Sequence, residues 1–155
     1  MLQLFQIENG LIREIRPDEQ SLASRVGQAN WIDAFEPDED ERRLLQSLLH
    51  TEVPEVDDVE EIEASARSFV DQAGIHVHSL FLSQTEGRHS TVSVACILQD
   101  QRLITIRESE LADFRLFRMR ARRGQIACYS SSELLVTLLE QKVENHADGL
   151  EDIHR

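Results

Sequence analysis

Cysteine, proline, glycine and aromatic residues are all scarce in this chain of 155 residues, which has two cysteines, three prolines, six glycines and 5% aromatic residues. Cys96 and Cys128 stand far apart with no C-x-x-C partner, which excludes a disulfide framework and a cysteine-built zinc site. Their apolar or small neighbours mark them instead as buried thiols of a reducing compartment. So few glycines leave no glycine-rich phosphate loop, and G-x-S-x-G and H-E-x-x-H are missing too, so no reaction class has a motif to stand on. No run reaches the roughly 18 apolar residues needed to span a bilayer. The opening M-L-Q-L-F-Q-I-E lacks the basic segment of a signal peptide. Basic residues are also few, 16 against 29 acidic ones, for a formal net charge of -13. Such a surface repels nucleic acid and anionic headgroups and attracts cations or basic partners.

What remains is enough for one domain with a core, since 41% of the residues are hydrophobic. Asn9-Gly10 between two short apolar runs predicts a hairpin over 2–16, and Trp31–Phe35 reads as a strand. Asp38 with Glu41 has capping-box spacing ahead of a helix whose buried stripe is Leu44, Leu45, Leu48 and Leu49. Strands are expected over 64–71, 75–83, 91–98 and 102–107, consecutive and antiparallel, with a polar loop at 84–90. Ser109 is expected to cap a helix carrying Leu111, Phe114, Phe117 and Ala121. Ser130 with Glu133 is expected to open the last helix. There Val136, Leu139, Val143, His146, Leu150 and Ile153 recur at steps of three and four, a heptad seam running to the final residues without a C-cap. That helix is therefore expected to continue beyond Arg155. Strands with helices at both ends give an α/β layered domain.

The acidic charge is concentrated. Seven carboxylates fall between Glu52 and Glu63 with no basic residue among them. Two readings compete, a solvated helix face and a cation site; like charges at this spacing repel unless water, salt or a bound cation screens them. His76 and His78, two apart on a strand, point to one face and suit either a structural pair or the start of a transition-metal site; the lack of a third ligand favours the structural pair. Arg115, Arg118, Arg120, Arg122 and Arg123 are read as partners of the surplus carboxylates rather than as a phosphate site, with 115, 118 and 122 on one helix face.

In order along the chain, W-I-D-A-F-E-P-D-E-D-E-R, V-E-E-I-E-A-S-A-R, G-I-H-V-H-S-L-F-L, S-T-V-S-V-A-C-I-L, R-L-I-T-I-R-E-S-E-L-A-D-F-R-L-F-R-M-R-A-R and E-L-L-V-T-L-L-E-Q-K-V-E resemble the cytoplasmic N-terminal domain of the CorA magnesium and cobalt transporters, proteobacterial branch. The resemblance implies an α/β/α sandwich with a mixed, largely antiparallel sheet over 1–129, and a long helix over 130–155 that begins a stalk. It implies a homopentamer in the bacterial inner membrane, with this domain on the cytoplasmic side. Regulatory Mg²⁺, or Co²⁺, would lie between neighbouring subunits. Aligning Val59-Glu60-Glu61-Ile62 with the family's Val-Glu-Asp-Ile pattern puts Glu60 and Glu61 at ligand positions, the second one methylene longer than the usual Asp. Glu140 is the matching acid of the stalk helix. The rival readings are the equivalent domain of a related zinc transporter and a free-standing acidic adaptor for a basic partner. An enzyme comes last.

Overall fold

The computed structural model describes residues 1–16, 21–50, 68–85 and 87–154. Its centre is a seven-stranded sheet in the order β2-β1-β3-β7-β6-β5-β4. The strands are β1 (Leu2–Glu8), β2 (Leu11–Glu14), β3 (Trp31–Phe35), β4 (Ser68–Asp71), β5 (Gly74–Thr85), β6 (Arg88–Gln99) and β7 (Arg102–Arg107). Only β3 and β7 are parallel, so the sheet is mixed and largely antiparallel. The alternation of side chains across each strand splits the core in two. One face carries Leu4, Ile32, Ala34, Ala95, Ile97 and Ile104 against helices α1 (Leu22–Gln28) and α2 (Glu39–Leu49). The other carries Phe5, Trp31, Phe81, Val94 and Cys96 against α3 (Ala112–Arg122) and α4 (Ser131–His154). The result is the expected α/β/α sandwich.

Local chemistry explains most boundaries. Asn9 and Gly10 both have positive φ, 54° and 79°, the requirement of the tight β1–β2 turn. Asp38 accepts from Glu41 N at 2.8 Å while Glu41 returns a carboxylate to Asp38 N at 3.0 Å, closing the capping box on α2. Ser130 Oγ accepts from Glu133 N at 3.2 Å, but Glu133 reaches one residue further back, to Tyr129 N at 2.9 Å.

Three expectations are corrected, and one helix is new. Ser109 does not cap α3: the N-cap is Leu111, with no side-chain cap, and Ser109 O instead accepts from Arg107 Nη1 at 2.7 Å. The stretch 84–90 is mostly strand, because β5 runs to Thr85 and β6 starts at Arg88, paired with it. Helix α1 was not expected; it is capped by Ser21 and buries only Val26, too little for a stripe. On α4 the buried apolar residues among those described are Leu134, Leu135 and Leu138; of the expected seam Leu139 is half-buried against them, whereas Val136 and Val143 are 54% and 64% exposed. The seam's later positions, His146, Leu150 and Ile153, lie outside the described side chains.

Candidate functional site

Glu60 and Glu61, with the whole acidic run, fall in 51–67, outside the described residues. Glu140 is exposed on α4, between exposed Val136 and Val143. A carboxylate presented to solvent in this way suits a hard, largely hydrated cation such as Mg²⁺, which uses one or two protein carboxylates and keeps several waters. Among the described residues no group of three or more His, Cys, Asp or Glu is placed to hold a metal ion.

Both flanks of the acidic run are described, and they are held together. Helix α2 ends at His50 in the left-handed conformation, φ 57°. Its terminal carbonyls, which lack helical partners, accept side-chain amides. Gln72 Nε2 donates to His50 O at 3.1 Å and Gln99 Nε2 to Leu48 O at 3.1 Å. Gln99 Nε2 also donates to Ala73 O at 3.0 Å, on the hairpin that follows the run.

His76 and His78 share a face, as their spacing requires, and are 2% and 5% exposed. Phe69 lies over both rings, with centroids 4.4 and 5.9 Å away and planes within 19°. His76 Nε2 meets Asp71 Oδ1 at 2.8 Å, whereas neither His78 nitrogen has a hydrogen-bond partner among the described residues. The Asp71 carboxyl sits below its ordinary range: desolvation raises it, but the Ala73 N–H, the His76 imidazole and the Gly74 N–H together outweigh that. Burial, and secondarily the neighbouring His76, push His78 below its ordinary 6.5. The folded state therefore favours neutral His78. Its contribution to stability is present above pH 6.5 and is lost as the pH falls from that value towards the lower folded-state range, where the unfolded chain takes up a proton that the folded chain resists. Urea midpoints are expected to drop between pH 7.5 and 5.5, and to drop less in His78→Leu; parallel curves for the two proteins would contradict this.

Of the five arginines, Arg118 and Arg122 pair with carboxylates among the described residues, and the set does not form one face. Arg118 is buried while Arg115 and Arg122 are exposed. Arg122 Nη2 pairs with Glu14 at 3.1 Å, and Arg120 donates to Gln141 of α4. Arg118 belongs to a cluster that sequence reasoning missed. Asp33, fully buried on β3, accepts from Arg107 Nε and Nη2 at 3.2 and 2.9 Å, from Arg118 Nη1 at 3.3 Å and from Thr105 Oγ1 at 2.9 Å. Glu110 takes the other arm of Arg118 at 3.1 Å. The available signal was an ionised residue inside each of two apolar strands, W-I-D-A-F and L-I-T-I-R, since a buried charge requires a partner. Cys96 lies in the same layer; burial first, and the Asp33 charge second, push its thiol up to about 12. Burial also raises Cys128. Both are free, buried, unreactive thiols.

A three-layer sandwich whose last helix carries an exposed carboxylate, with a tightly held junction on either side of an acidic segment, defines a domain with no assembled catalytic centre among its described residues. Residues 26–155 match the family described as CorA-like Mg²⁺ transporter protein. The chain belongs to that family. It is 43% identical over 156 residues to the magnesium transport protein CorA of Escherichia coli (strain K12), covering 99% of this chain and 48% of that protein. The CorA of Salmonella typhimurium is 42% identical with the same coverage. The chain thus spans about half the length of the curated relatives it matches. Its fold is that of the soluble domain of CorA from Methanocaldococcus jannaschii, with TM-score 0.67 at 16% identity over 99% of this chain and 60% of that one. The full-length CmaX protein matches with TM-score 0.66 at 14% identity, over 99% of this chain and 47% of that one. No helix among the described residues is long and apolar enough to cross a membrane.

Proposed function

We propose that this chain is the cytoplasmic, divalent-cation-sensing domain of a CorA-type magnesium and cobalt transporter, a homopentamer of the bacterial inner membrane. In this reading residues 1–129 are the sensing sandwich and 130–155 begin the stalk helix, whose first turns also pack on the sheet through Leu134, Leu135 and Leu138. The observation that carries it is the 43% identity to a magnesium transport protein across 99% of this chain. Glu60 and Glu61 offer carboxylate oxygens from one subunit and Glu140 offers one from the helix of its neighbour, the hard donors that Mg²⁺ or Co²⁺ accepts. Bound Mg²⁺ supplies the positive charge that offsets repulsion between these acidic faces. Without it the carboxylates repel one another, and the subunits move apart from the closed arrangement. No catalytic step is part of the reading.

Charge neutralisation tests it. In the transporter carrying this domain, the double variant E60Q/E61Q is expected to raise the Mg²⁺ concentration giving half-maximal protection from protease by at least about tenfold, equivalent to about 1.4 kcal/mol of binding. A midpoint equal to the parent's would show that these two residues hold no regulatory ion.

A further inference from the structure

Helix α2 ends just before the acidic run and β4 begins just after it, and one side chain bonds to both flanks. Gln99, the last residue of β6, has two amide N–H groups and uses both on carbonyls of distant elements. Leu48 O in the last turn of α2 accepts one at 3.1 Å, and Ala73 O in the β4–β5 turn accepts the other at 3.0 Å. The orientation of the amide is dictated chemically, because flipping it would set Oε1 against two carbonyl oxygens. The backbone of the same residue faces α4. Ser131, the first residue of that helix and 4% exposed, shares its hydroxyl proton between Gln99 O at 3.3 Å and Asp100 O at 3.4 Å.

The surrounding backbone leaves little room for slippage. Gly74, with φ 138°, packs so closely on the β6–β7 arm that a Cβ there would lie 2.4 Å from Leu98 O. Any shift of the β4–β5 turn therefore presses directly on the strand end that carries Gln99. Hydrogen bonds of Gln99 thus link both flanks of the acidic run to the first turn of α4.

We propose that Gln99 is the positioning residue that fixes the two flanks of the acidic segment relative to each other and joins them to α4. This rests on the cation-sensing reading above and adds to it the residue through which a change at the segment reaches the helix. Leucine at this position keeps the size of glutamine but has no donors. Asparagine keeps the amide but is too short to reach both carbonyls. Lysine retains several N–H groups on a longer stem.

The test measures the Mg²⁺ midpoint for protease protection of the transporter in the parent, Q99L, Q99N, Q99K and E60Q/E61Q, with a melting curve for each in the absence of Mg²⁺. Q99L is expected to raise the midpoint about fivefold or more. Q99N is expected to shift it in the same direction by less, and Q99K to restore it towards the parent. A purely structural role would lower the melting temperature without moving the midpoint. Midpoints of Q99L and Q99N within about twofold of the parent, while E60Q/E61Q is shifted, would overturn the role of Gln99 and leave the sensing reading intact. A Q99K shift as large as that of Q99L would also overturn it. An unshifted E60Q/E61Q would remove the sensing reading, and the positioning role with it.

Discussion

Asp33→Ala is expected to destabilise the domain by about 3–5 kcal/mol, read as a fall in urea midpoint without a change in slope. The carboxylate is fully buried and faces two guanidiniums that are themselves 1% and 8% exposed. It receives both Nε and Nη2 of Arg107, so the pair is two-pronged, and Arg118 adds a third charged donor. Removing it leaves two buried cations, with Glu110, 3.1 Å from Arg118 and 3.8 Å from Arg107, as their remaining carboxylate partner among the ion pairs of the described residues. The Arg107 guanidinium also lies 4.8 Å from the ring centres of both Phe35 and Phe114, so it cannot retreat to solvent without opening the aromatic core. An exposed pair such as Arg13–Glu8, at 3.4 Å, is worth about 0–1 kcal/mol by comparison. A loss at Asp33 of that smaller size would mean that the cluster rearranges easily.

Trp31→Ala is expected to cost a similar amount, about 3–5 kcal/mol, chiefly through the cavity left at the centre of one core layer. The indole stacks on Phe5 at 4.5 Å, meets Phe117 edge-on at 5.4 Å and leans on Phe114 at 6.4 Å. Its Nε1–H donates to Thr105 Oγ1 at 3.0 Å, and Thr105 in turn donates to Asp33 at 2.9 Å. Because one hydroxyl serves both residues, the two substitutions share a partner and are not independent. The Trp31→Ala/Asp33→Ala double variant is expected to depart from the sum of the single losses by more than about 0.5 kcal/mol. Additivity within that margin would show that Thr105 does not transmit the coupling.

What could be read from the sequence was local. Asn9-Gly10, Asp38 with Glu41, and the leucines of α2 each declare themselves within a few residues, because turn and cap chemistry acts over that range. These fragments alone gave an α/β layered domain, which the resemblance sharpened to an α/β/α sandwich. The Asp33 cluster was not legible because its partners lie 72 to 85 residues away in the chain. On α4 the pattern of apolar residues permitted more than one face, and only packing against β6, β7 and α3 selects Leu134, Leu135 and Leu138. Gln99 gave no signal, since a glutamine beside a polar turn ordinarily reads as a surface residue. The candidate cation ligands were legible only through the family pattern around Val59–Ile62, as composition alone fits a solvated acidic face equally well.

The proposed cation-sensing role requires the acidic segment to respond to a divalent ion rather than to ionic strength. The most direct measurement is protease protection of the parent transporter, titrated with MgCl₂ and, at matched ionic strength, with NaCl. Protection that appears with Mg²⁺ and not with Na⁺ is the predicted result. Equal protection by both salts would contradict the account, because the run from Glu52 to Glu63 would then be an acidic surface screened by any cation.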